Sequence, residues 1–183
     1  MSRIEGLLKA YEEFVVQSWT QNLAGAEKVW FAVYEPAQER RLQFRLPEFA
    51  TATVKSGHGW YHLDISDYFA HWMAGHKYRE AYFEEPEAMD LALRDFASAT
   101  AAQVKNFLTS PGVDENTVAA ISGVGALFGL ARTSEIIDQV TSAVRGRLLV
   151  FFPGRHESSQ YRLLDARDGW NYLAIPIIAV NGD

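Results

Sequence analysis

The chain has 183 residues, 48% of them hydrophobic, 13% aromatic and 22% charged, enough apolar material for one compact core, which excludes disordered, collagen-like and coiled-coil classes. The absence of cysteine removes disulfide frameworks, thiolate catalysis, cysteine-ligated zinc and iron–sulfur clusters. Seventeen Lys plus Arg against 23 Asp plus Glu give a formal charge of −6, so the surface repels a phosphate backbone and direct DNA binding is expected to be weak or absent.

Ser2-Arg3-Ile4-Glu5 has capping-box spacing, and Ile4, Leu7, Leu8, Tyr11 and Phe14 recur at helical intervals, which predicts an amphipathic first helix instead of a cleavable leader. No apolar run approaches the roughly 18 residues of a membrane span, so no membrane contact is expected and the protein is placed in the cytoplasm. Residues 28–34 read as a β-branched and aromatic strand. Glu35-Pro36 then opens a helix with Leu42, Leu46, Phe49 and Thr53 on one face; Pro47 is expected to kink or restart it, and Gly57 to stop it. A second strand is expected over 60–65. Ser66-Asp67 reads as the cap of a helix carrying Phe69, Trp72 and Met73, interrupted at Gly75 before Tyr78, Tyr82 and Phe83.

Pro86 starts a long helix whose expected buried stripe is Met89, Leu93, Phe96 and Phe107, ended by Pro111-Gly112. A strand over 117–121, a glycine-rich loop over 122–132, and a helix marked by Ile136, Ile137, Val140 and Val144 follow. Residues 148–152 form the most continuously apolar strand, expected at the sheet centre. Residues 161–164 and 171–175 flank Asp168-Gly169 and read as a hairpin. Strands alternating with helices predict one α/β domain over 1–183: a three-layer, Rossmann-like, mainly parallel sheet with helices on both faces and a C-terminal antiparallel hairpin at one edge.

Ligands of such sheets collect beyond the carboxyl ends of the strands. The loop Ser122-Gly123-Val124-Gly125-Ala126-Leu127-Phe128-Gly129 misses the Walker pattern, since Leu130-Ala131 stand where a lysine and a hydroxyl are needed, and it misses GxGxxG by one residue. Glu35, Asp64 and Asp67 are a conceivable carboxylate set for magnesium, but helix starts account for Glu35 and Asp67. The five histidines show no ligand spacing; His156 lies in what reads as a polar strand-end loop, Arg155-His156-Glu157-Ser158-Ser159, with no GxSxG elbow. No catalytic, cofactor or metal residue is therefore assigned. Val124, Leu127, Phe128 and Leu130 either fold back into the core or stay available to another chain, and with Arg132, Arg155 and His156 they form the candidate partner surface.

Several segments are distinctive as a set: Val29-Trp30-Phe31-Ala32-Val33-Tyr34-Glu35-Pro36, Gly57-His58-Gly59-Trp60, Tyr78-Arg79-Glu80-Ala81-Tyr82-Phe83, the glycine loop through Gly129, Leu149-Val150-Phe151-Phe152-Pro153-Gly154, and Leu164-Asp165-Ala166-Arg167-Asp168-Gly169-Trp170-Asn171-Tyr172. With them the chain resembles, over nearly its whole length, the BrxB family of bacterial BREX phage-defence systems. The resemblance implies a cytosolic component working beside a phosphatase-like PglZ protein, a large ATPase and a DNA methyltransferase, and brings no catalytic residues with it. The expectation is a non-catalytic assembly or adaptor subunit that binds other BREX components, the PglZ-like protein foremost. The alternative is a nucleotide- or metal-dependent enzyme using the strand-end rim around residues 122–132.

Overall fold

The computed structural model describes residues 3–164, 166–167 and 174–179. Its helices are α1 (Arg3–Val15), α2 (Glu39–Lys55), α3 (Tyr68–Ala74), α4 (Arg79–Glu84), α5 (Asp90–Leu108) and α6 (Thr133–Val140). Its strands are β1 (Val29–Tyr34), β2 (Gly59–Asp64), β3 (Thr117–Ser122), β4 (Arg147–Glu157), β5 (Gln160–Leu163), β6 (Ala166–Arg167) and β7 (Ile175–Ile178). The sheet runs β2-β3-β4-β1-β7 and every pair along that path is parallel. The apolar strand is central, as its composition requires.

Both faces of the sheet are covered, because the alternating side chains of the inner strands are apolar on each side. Trp30, Ala32, Leu149 and Phe151 pack under α1 and α2 with Ile4, Leu7, Tyr11, Leu42 and Phe49. Phe31, Val33, Val150 and Phe152 pack under α5 and α6 with Phe96, Val104, Leu108, Ile136 and Val140. Three layers result. A buried hydroxyl pair ties α1 to α2: Thr53 Oγ1 donates to the Phe49 carbonyl (2.8 Å) and so accepts from the Tyr11 hydroxyl (2.6 Å).

Local readings are corrected in four places. α2 runs unbroken through Pro47, so the proline does not restart it. Asp67 makes no capping hydrogen bond to α3; the preceding turn is closed by Asp64, whose Oδ1 accepts from the Ser66 N–H at 2.9 Å. The buried face of α5 consists mainly of Ala92, Phe96, Ala97, Thr100, Ala101, Val104 and Leu108, whereas Met89, Leu93 and Phe107 are half-buried, because small side chains let this helix approach its neighbours closely.

The C-terminal antiparallel hairpin is present, and which segments form it is the fourth. β4 continues past the sheet, turns at Ser158-Ser159 and pairs antiparallel with β5, which pairs with β6 at the edge. Ile175 belongs instead to β7, parallel to β1, while Asp168-Gly169 and Asn171 lie outside the described residues, as does Ser2 of the expected capping box. Among the described residues no helix is long and apolar enough to cross a membrane.

Candidate functional site

Parallel strands bring the segments after β1, β2 and β3 and the middle of β4 to one rim: Tyr34 pairs in register with Pro153, and Asp64 with Ser122. A crevice of about 320 Å³ opens there, lined by Pro36, Glu39, Ser66, Gly123, Gly125, Ala126, Pro153 and Leu164. Gly123 makes its tight corner: φ is +84°, and a Cβ would stand 2.5 Å from both Asp64 Oδ1 and the Ser66 nitrogen. The next four residues wind into a 3₁₀ turn, Val124–Leu127.

That turn settles the apolar loop. Val124 and Leu127 are 2% and 1% exposed and belong to the core under α5 and α6, so neither offers its side chain to a partner, which corrects their assignment to a docking surface. The cost of leaving two large apolar side chains in water, roughly 1.5–3 kcal/mol each, drives them inward. Leu130 is half-buried against the same core. Phe128 remains 47% exposed and Arg132 is exposed.

Among the described residues Glu39 is the sole charged group lining the crevice, and both its oxygens are engaged: the Tyr34 hydroxyl donates to Oε2 and the Gln43 amide to Oε1 at 2.9 Å. Burial, reinforced by that carboxylate, pushes the Tyr34 phenol far above its usual range, so it stays a neutral donor. The other carboxylates do not converge. Glu35 pairs with Arg3, Asp64 closes its turn, and Asp67 Oδ2 faces His71 Nδ1 at 3.4 Å. Among the described residues no group of three or more His, Asp or Glu is placed to hold a metal ion.

Arg155 and His156 lie on the extension of β4 and not in a loop. With Arg3, Glu35 and Ile178 they line a separate open depression of about 370 Å³, so the fold does not bring them into the crevice with Gly123 and Gly125. The His156 ring packs on buried Tyr161, 4.6 Å between centroids, and Arg155 reaches Glu157 at 4.0 Å.

One pair escaped the linear reading. His62 Nε2 lies 2.8 Å from Ser122 Oγ, across neighbouring strands. The packed side of His62 pulls its imidazole below the usual range, against the opposing effect of the Asp64 carboxylate. Ser122 has no exposed surface, so its hydroxyl anchors the edge strand and is closed to substrate. Only the register of β2 on β3 reveals the contact; sixty residues separate the partners, and neither sits in a motif.

The model of one family, BREX protein BrxB, matches residues 75–177, which is more than half of the chain. The chain belongs to the BrxB family. It is thereby a component of BREX phage defence. The matched span takes in α4 to α6, β3 to β6, the rim loop and most of β7, and is narrower than the near full-length resemblance; the segments 29–36 and 57–60 fall outside it. No curated protein and no solved structure matches the chain.

Proposed function

We propose that this chain is a non-catalytic assembly subunit of a cytoplasmic BREX complex, and that it binds the PglZ-like phosphatase-like protein, with the ATPase and methyltransferase as further contacts. The observation that carries this reading is Phe128. Leu127 on one side is buried and Leu130 two residues on is half-buried, so an aromatic ring is held out to solvent on an anchored loop beside the rim. Rigidly presented aromatics are the usual anchors of protein interfaces, because little conformational freedom is lost when they are covered. The crevice next to it is lined by backbone, apolar side chains, the lone hydroxyl residue Ser66 with no histidine beside it among the lining residues, and one occupied carboxylate, which is poor equipment for acid–base or nucleophilic work.

Phe128→Ala tests it. The isolated protein should melt close to wild type, since the ring is half-exposed, while affinity for the PglZ-like protein falls by about 2 kcal/mol, or about 30-fold. Unchanged binding, or a sharp fall in melting temperature, would remove Phe128 as anchor. The second reading, a small ligand at the rim, draws on the crevice volume of about 320 Å³, which suits a small molecule. Saturable thermal stabilisation by ATP, NAD or a divalent ion would favour it over the assembly role.

A further inference from the structure

No residue from 74 to 91 is buried, although the segment contains α4 and a 3₁₀ turn, Pro86–Met89. A six-residue helix is far too short to be stable by itself in water. It packs chiefly on the 3₁₀ turn that follows it, and is tied to the body by a ladder of rings. Trp72 lies 5.5 Å from buried Phe96, His76 lies 4.7 Å from Trp72, and Tyr82 lies 5.1 Å from His76. The outward residues keep Tyr78, Phe83 and Leu91 in water at 54%, 66% and 77% exposure. Around them stand Glu84, Glu85, Glu87 and Asp90, all exposed; of the two cations in the segment, Arg79 is paired with Glu80 and Lys77 stands over the Tyr78 ring, 5.3 Å from its centroid.

We propose that residues 74–91 form a docking arm for a protein partner with a basic rim around an apolar pocket, Phe83 entering the pocket and Glu84, Glu85, Glu87 and Asp90 meeting the rim. This deepens the assembly reading and rests on it. Exposed large apolar side chains within a block of one charge mark a surface meant to be covered, and the sign of the block selects what covers it. Nucleic acid and anionic lipid are repelled. A second copy of the chain carries the same formal charge of −6, and three of its C-terminal arginines are engaged elsewhere: Arg145 on Glu115, Arg147 in the interior, Arg155 near Glu157.

The test co-expresses the full chain with the other proteins of its BREX system and captures the assembly through the chain at rising salt. Wild type should retain a partner, less as salt rises. Phe83→Ala, and separately Glu84→Lys with Glu85→Lys and Glu87→Lys, should each weaken retention about tenfold or more with melting unchanged. If wild type assembles and both variants assemble equally well, the arm is not the contact and the assembly reading survives. If wild type retains no partner, that reading falls and takes the arm with it. A drop in melting temperature for both variants, or a dimer of the isolated protein that both abolish in sedimentation, also overturns the proposal, the first in favour of a structural arm and the second of self-association.

Discussion

Gly123 is the residue on which the geometry of the rim depends most. Its left-handed backbone ends β3 hard against Asp64 and Ser66, and a Cβ there collides with the Asp64 carboxylate and the Ser66 backbone. Gly129, at φ +76°, has nothing within 4 Å of its missing Cβ and isolates the conformational cost alone. Gly129→Ala should therefore lower stability by about 1 kcal/mol and Gly123→Ala by about 2–4 kcal/mol, measured by urea unfolding. Equal losses would show that the collision is relieved by movement of the 65–67 turn. The glycine-rich character of this loop was legible in the sequence, but its purpose was not. Glycine spacing reads as a phosphate cradle or a tight corner alike, and only the packing of Val124 and Leu127 beneath it decides for the corner.

At the scale of elements, the alternation of strands and helices was readable wherever the period was strong, as in α1, β1 and β4. It failed where chain chemistry is unspecific. The turn between β4 and β5 holds Ser158 and Ser159 at φ +50° and +63°, a conformation that Asn-Gly advertises and Ser-Ser hides. Arg155-His156-Glu157 therefore looked like a solvated loop, although it forms the outer end of the central strand, in which Gly154 is needed because a Cβ would overlap the Arg162 carbonyl. Replacing the pair with Asn-Gly should raise stability by about 0.5–1 kcal/mol in thermal unfolding, since both positions then suit positive φ. No gain would mean that neighbouring contacts, and not the turn residues, set this hairpin. The misread stripe of α5 has a similar origin: a hydrophobicity count favours Leu93 and Phe107, whereas close helix approach selects Ala97 and Ala101.

For the whole molecule, charge distribution outweighs any local basic run. The arginines that punctuate the last forty residues are dispersed by the fold: Arg145 is bound to Glu115, Arg147 is buried against the Val29–Tyr34 side of the sheet with its guanidinium over the Trp19 ring, and Arg155 stands near Glu157. The fold does not gather these three on one phosphate track. The isolated protein should give no mobility shift of duplex DNA at about 0.15 M salt, and weak, steeply salt-dependent retention below it. A tight, sequence-specific complex at that ionic strength would refute this. The central strand finally gives the molecule a mechanical character. Residues 148–153 of β4 pair with β1 and residues 147–150 also with β3, and residues 154–157 of the same unbroken strand carry β5. The strand is continuous across the junction of the two halves. A load applied to the β5 branch therefore passes along β4 directly into the middle of the sheet.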